Sequence, residues 1–165
     1  MRIAGIRFTS LFDGEGINAV VFFQGCAVHC KGCHNPGTWD FAGGTEVSID
    51  EVTKQIEPYI GFIDGITLSG GNPVDSWVDT SALARWAKSK GLKVTLYSGY
   101  DFADIAEMDM NVKEEHKLLE YVDTVIDGAF ELDKKADLPF RGSSNQRIFR
   151  ITHTEEGWKA TIDKD

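Results

Sequence analysis

Three cysteines, Cys26, Cys30 and Cys33, lie within eight residues of one another and are all that the 165-residue chain contains. An odd number packed this closely cannot form the paired framework of a small bridged domain. The spacing C-x3-C-x2-C instead puts three thiolates on one loop, a donor set suited to a soft metal centre. Zinc is one occupant such a loop could take, with His29 or His34 as the fourth tetrahedral ligand. His34 directly follows Cys33, however, and no second C-x2-C knuckle is present. An iron–sulfur cluster is the other. Four-iron clusters normally take four cysteines, so three leave one iron for an outside ligand, and an open coordination position signals chemistry. The plain alternative is three buried cysteines serving as small apolar residues.

Three further segments carry unusual residues: Ser69-Gly70-Gly71-Asn72-Pro73, Tyr97-Ser98-Gly99-Tyr100 and Asp127-Gly128. Glycine and proline punctuate ordinary turns, and an aspartate before glycine commonly caps one. Beside a metal loop the same residues acquire a second reading. Gly70 and Gly71 allow the backbone to approach a bound ligand closely, and Ser69, Asn72, Ser98 and Asp127 offer polar groups to it. The segment Arg141 to Arg147 combines two cations with Ser143, Ser144, Asn145 and Gln146. It reads as a solvated loop, a partner surface or a contact to a ligand carboxylate.

These segments must be held by a scaffold, and the hydrophobic pattern supplies one. Runs over residues 18–24, 65–69, 93–97, 123–127, 147–152 and 158–162 predict strands. Ser48 and Glu51 form a capping box that opens a helix to about residue 59, with Val52, Ile56 and Tyr59 on one face. A second helix is expected from Asp79 until Gly91 stops it, a short third from 102 to about 108, and a fourth from 114 to about 121. Strands alternating with helices imply right-handed crossovers and a parallel sheet. The fold class expected is α/β, an open, partial parallel β/α barrel of about five parallel strands forming one domain over 1–165. Ligand sites in such sheets lie beyond the carboxyl ends of the strands, where all four unusual segments fall.

Composition narrows the function classes. Seventeen basic against 26 acidic side chains give a net charge of −9, and 42% of residues are hydrophobic. That balance describes an ordinary globular chain and disfavours general binding to nucleic acid or anionic membranes, which needs clustered cations. No apolar run reaches the ~20 residues of a bilayer span, and the expectation is a soluble cytoplasmic protein.

The cysteine loop after one strand and the glycine-rich turn after the next resemble the radical S-adenosylmethionine superfamily. More narrowly, Gly25-Cys26 to Cys33-His34-Asn35, Thr38-Trp39, Leu68 to Pro73, Ser98-Gly99-Tyr100, Ile126-Asp127-Gly128 and Phe140 to Arg147 occur in the order found in the activating-protein family of anaerobic ribonucleoside-triphosphate reductases. The likeness runs from about residue 5 to 151. It implies an oxidoreductase with Cys26, Cys30 and Cys33 on a [4Fe-4S] cluster, and S-adenosylmethionine chelated at the open iron. It also implies a glycine of the reductase as target and an electron donor such as flavodoxin. His29, His34 and His116 are non-ligands in that reading, and no side chain is catalytic beyond cluster and cofactor. Another glycyl-radical enzyme or a small molecule is the alternative target, and a zinc-stabilised binding module the alternative of another class. Gly32 precedes the third cysteine where the wider superfamily often has an aromatic residue, as is common in this activating-protein family; Glu15 and Asn18 in the N-terminal loop, and Asn72 in place of the usual acidic residue, depart from the pattern. On this view Asn72→Asp would keep activity, because the amide only adds a neutral hydrogen bond to the cofactor's ammonium.

Overall fold

The computed structural model describes residues 1–163; the last two residues of the expected 1–165 domain lie outside them. Ten strands and three α-helices follow one another along the described chain. The strands are β1 (Arg2–Ser10), β2 (Asn18–Phe23), β3 (Thr45–Glu46), β4 (Gly65–Gly70), β5 (Lys93–Tyr97), β6 (Thr124–Asp127), β7 (Lys135–Leu138), β8 (Arg141–Ser143), β9 (Arg147–Thr154) and β10 (Gly157–Ile162). The helices are α1 (Ile49–Ile56), α2 (Trp77–Ser89) and α3 (Phe102–Asn111). Eight strands form one sheet in the order β3-β1-β2-β4-β5-β6-β9-β10, and β7 and β8 form a separate hairpin.

The centre of the sheet is parallel: β2 pairs β4, β4 pairs β5, and β5 pairs β6. Both flanks are antiparallel, with β1 on β2 and β9 on β6. The architecture is therefore mixed α/β, with four parallel strands rather than about five. The central strands are largely buried on both faces: β2 is apolar throughout residues 19–23, whereas β4 and β5 alternate Ile66, Leu68, Val94 and Leu96 with the buried Thr67 and Thr95. Ile66 and Leu68 of β4 join the helix-facing core with Val52 and Ile56 of α1, Leu83, Ala84 and Ala87 of α2, and Ile105 of α3. Thr67, between Ile66 and Leu68, points the other way and donates to the Asp13 carbonyl. The loop between β1 and β2 thus folds under the second face. No helix is long and apolar enough to cross a membrane among the described residues.

The capping box is present as read, Ser48 accepting from the Glu51 amide and Glu51 from the Ser48 amide. Pro58 falls in a 3₁₀ turn, Glu57–Tyr59, that ends this helix. The second helix starts two residues early, at Trp77, behind another 3₁₀ turn, Pro73–Ser76. Residues 114–121 are not a helix but two separate 3₁₀ turns, Glu114–His116 and Leu119–Tyr121. The buried Asp109 carboxylate interrupts them by accepting the amides of Leu118 and Leu119. Among the strands, β1, irregular between Ile3 and Gly5 and between Arg7 and Ser10, the short β3 paired to it, and the β7–β8 hairpin lay outside the sequence expectation.

Two contacts close the upper rim. Gly71 packs so tightly against the Gly25 carbonyl and Thr38 carbonyl that a Cβ would overlap both. At the other end, Asp127 is 0% exposed and accepts from the Phe102 amide at 2.7 Å and from Arg147 Nη2 at 2.6 Å.

Gly71→Ala is expected to lower the melting temperature by about 5 °C, since overpacking against rigid backbone costs ~1–3 kcal/mol. Gly37→Ala, which meets nothing within 4 Å, should shift it by no more than about 2 °C. Asp127→Ala should cost about 3 kcal/mol in chemical denaturation, because it leaves the Phe102 amide and one face of Arg147 without an acceptor.

Candidate metal centre

The cysteine loop leaves β2 through Gly25, whose φ of 115° is open to glycine and strained for any other residue. Its backbone is stitched to the segment that follows the loop. The Gly25 amide donates to the Thr38 carbonyl at 2.7 Å and the Cys26 amide to the Trp39 carbonyl at 3.1 Å. Gln24 reaches across to the carbonyls of Gly37 and Asp40. Chain entry and exit are thereby clamped, and residues 26–35 hang from the clamp. Within them the Cys33 amide donates to the Cys30 carbonyl, and the Cys33 sulfur accepts from the Asn35 amide at 3.4 Å.

All three cysteines are free and line one cleft. Its other walls come from the strand ends: Ser69, Gly70 and Gly71 at the end of β4, Tyr97, Ser98 and Gly99 at the end of β5, and Gly128 after β6. Phe130 and Phe140 close it from the β7–β8 side. The cleft encloses about 210 Å³ and opens to solvent on one side. The four unusual segments of the sequence do meet on one rim.

The donor set fits a polynuclear centre. The three cysteines share the wall of one cleft, and three thiolates are the donor type that iron–sulfur clusters take. Burial pushes the Cys30 thiol up, and the nearby Cys26 and Cys33 add to the effect, against an opposing backbone hydrogen bond from Phe130. A bound metal centre relieves such repulsion by neutralising the thiolates. Trp39, also on the wall, keeps its buried indole N–H without a partner in the protein, a donor left over for an occupant. His34 lies on the same wall, His29 stacks on Trp39 at 4.6 Å, and His116 sits in a distant 3₁₀ turn.

Two residues read as ligand contacts do not line the cleft. Asn72 is 1% exposed; its oxygen accepts from Ser98 Oγ at 3.0 Å and the Gly99 amide at 3.4 Å. Its Nδ2 donates to Asp75 Oδ2 at 3.2 Å. Both ends of the amide are used, so the expectation that Asn72→Asp is harmless does not survive: it would set two carboxylates side by side. Asp127 is likewise occupied by Phe102 and Arg147. The glycines also have a structural duty, because Gly70, with φ of 98°, and Gly71 let the β4 end touch the β2 end.

The polar segment near residue 145 is a clasp rather than a solvated loop. Gln146 accepts the amides of Gly142 and Ser143 and donates to the Gly128 carbonyl, and Asn145 donates to the Ala129 carbonyl. Asp75, which the sequence reading passed over, binds three partners at the cysteine loop and strand ends. The one local signal for it is an acidic residue in the first turn after Pro73, a common feature of helix starts.

The 4Fe-4S single cluster domain family matches residues 12–149. Similar curated proteins include the anaerobic ribonucleoside-triphosphate reductase-activating protein of Enterobacteria phage T4, 33% identical over 89% of this chain and 91% of that protein. The protein of the same description from Haemophilus influenzae is 33% identical over 87% and 94%. A pyruvate formate-lyase-activating enzyme of Clostridium pasteurianum is 35% identical over 65% of this chain but 47% of its own length. The chain thus belongs to the 4Fe-4S single cluster domain family and to the family of the anaerobic ribonucleoside-triphosphate reductase-activating proteins.

Proposed function

We propose that this chain activates an anaerobic ribonucleoside-triphosphate reductase, with Cys26, Cys30 and Cys33 holding a [4Fe-4S] cluster and the cleft holding S-adenosylmethionine. When bound, the cluster supplies the electron, drawn from a donor such as flavodoxin, that splits the cofactor into methionine and a 5′-deoxyadenosyl radical able to take a hydrogen atom from a reductase glycine. The single observation that carries this reading is the convergence of three free cysteines with the β4, β5 and β6 ends on one cleft.

The chain's own residues bind, orient and exclude water. Ser69, Gly70, Gly71 and Ser98 form the wall nearest the parallel strand ends and hold the cofactor there. Asn72 and Asp127 act behind that wall, the first fixing Ser98 and Gly99, the second fixing the start of α3 and Arg147. Phe130, Phe140 and Val28 give the cleft an apolar lining, which keeps water from a reactive radical. The cleft is open on one side, and a docked protein loop completes the seal. Glycine suits that position because it carries no side chain to block approach. The four parallel strands with sites at their carboxyl ends support an open β/α barrel of the radical S-adenosylmethionine type.

The reductase is favoured over other glycyl-radical enzymes by the segment Phe140 to Arg147, which resembles that of the reductase activators; the pyruvate formate-lyase activators, which this chain matches over 47–62% of their length, mark the alternative target.

Anaerobic reconstitution should yield four iron and four acid-labile sulfide per chain, as the 4Fe-4S family description implies, and Ala at Cys26, Cys30 or Cys33 should abolish it. Stoichiometric zinc without iron would instead point to a binding module. The reduced protein with S-adenosylmethionine should release 5′-deoxyadenosine and, with the reductase present, a glycyl-radical doublet. Replacing the reductase's C-terminal glycine by alanine should remove the doublet. Cofactor cleavage without a doublet would refute the choice of partner.

A further inference from the structure

The family pattern places an acidic residue at the end of the glycine turn, and this chain has Asn72 there. A carboxylate is nevertheless present three positions on. Asp75 Oδ2 accepts the Ala27 amide at 2.9 Å and Asn72 Nδ2 at 3.2 Å, while Oδ1 accepts the Tyr100 hydroxyl at 2.6 Å. Asn72 passes the connection on to Ser98 Oγ and the Gly99 amide. One side chain therefore ties together the peptide just after Cys26, the turn after β4 and the end of β5. Those elements come from sequence positions 48 and 25 residues away from Asp75.

We propose that Asp75 is the positioning residue of the cysteine loop, and that Asn72 is an amide because Asp75 stands beside it. The backbone clamp holds Cys26 by its own amide, to Trp39. The next peptide has Asp75 as its acceptor, so the direction in which the chain turns toward Cys30 depends on this carboxylate. A charged acceptor suits the task, since charge-assisted hydrogen bonds are about twice as strong as neutral ones. The Tyr100 phenol stays a donor at any physiological pH: its bond to Asp75, and then burial, push its pKa up to about 12. Asn72 must donate to Asp75 through nitrogen and accept from Ser98 and Gly99 through oxygen, and only an amide does both. An aspartate there would face Asp75 across the distance of one hydrogen bond, and two carboxylates so placed cannot both remain ionised without cost. Exchanging the two residues keeps one charge and one donor. It leaves position 75 a single acceptor oxygen for Ala27 and Tyr100, so the exchange restores the arrangement in part.

The proposal rests on the reading of Cys26 as a cluster ligand, and the test separates the two. In the metal-free full chain, Cys26 is 7% exposed and Cys30 and Cys33 more so. Site-resolved iodoacetamide alkylation, followed by peptide mass spectrometry, measures each thiol independently. Asp75→Asn and Asn72→Asp should each raise the Cys26 rate about tenfold, the size of one charge-assisted hydrogen bond lost, and leave the other two thiols unchanged. The double exchange, Asn72→Asp with Asp75→Asn, should return Cys26 part of the way to wild type. In reconstituted protein the same single variants should alter the electron-spin line shape of the reduced cluster. An unchanged Cys26 rate in folded Asp75→Asn, or equal gains at all three thiols, overturns the positioning role. So does a double variant worse than either single one. If Asp75→Asn does not fold, Tyr100→Phe removes one donor to the same carboxylate and must show the same Cys26 selectivity, and its absence overturns the role as well. Failure of the wild-type chain to take up iron and sulfide refutes the cluster and leaves the alkylation pattern to judge Asp75 alone.

Discussion

The site depends on a contact in which no side chain takes part. Where β2 and β4 end, the backbones of Gly25 and Gly71 lie against each other, and the Asn72 amide donates to the Gly25 carbonyl at 2.9 Å. The Gly71 amide donates to Phe23 in the same place. Paired strands lie ~4.8 Å apart through their ladder hydrogen bonds, with side chains standing out of the sheet. Beyond the ladder a side chain at position 71 would overlap the Gly25 and Thr38 carbonyls, and its absence lets the loop bearing Cys26 be drawn over the turn of β4. Everything above the sheet inherits its position from this approach.

The remaining rim is closed by a set of linked polar groups, among which the buried Asn145 Oδ1 alone has no partner in the protein. Asp127 anchors the start of α3 and the start of β9 from a fully buried position, and Gln146 and Asn145 carry the connection back to Gly128 and Ala129. These groups are costly to bury singly and stable only as a set. The result is a wall that presents backbone and small side chains to the cleft, with its charged groups turned inward. That division explains why residues of unusual type in this chain are in several cases one layer behind the surface that a ligand would touch.

Rigid walls contrast with the cysteine loop they face. Residues 26–35 contain no α-helix or strand, and His29 adopts a positive φ of 52°. The loop is held at its two ends by the clamp to Thr38 and Trp39 and at one inner point by Asp75. A metal centre adds three further attachments at the sulfurs. Binding and folding are linked in such a loop, because the group that it holds also defines its shape.

The sequence by itself determined a good deal. Cysteine spacing is local chemistry, and C-x3-C-x2-C names its donor set without any fold. The capping box at Ser48 and the apolar runs of β2, β4 and β5 are local too, and they stand where the pattern put them. From alternation alone it followed that the unusual segments share one rim, since parallel strands end on the same side. What alternation cannot give is an edge of weak periodicity: β1 has Gly5 and bulges in its middle, and its pairing comes from β2. Residues 114–121 look helical until Asp109, from an element upstream, takes the amides of Leu118 and Leu119. The same limit applies to the site. Whether Asn72 and Asp127 face a ligand or the protein depends on partners 26 and 20 or more residues away. Hydrogen bonds over such separations are chosen by the packed structure, and only the tertiary fold could decide them.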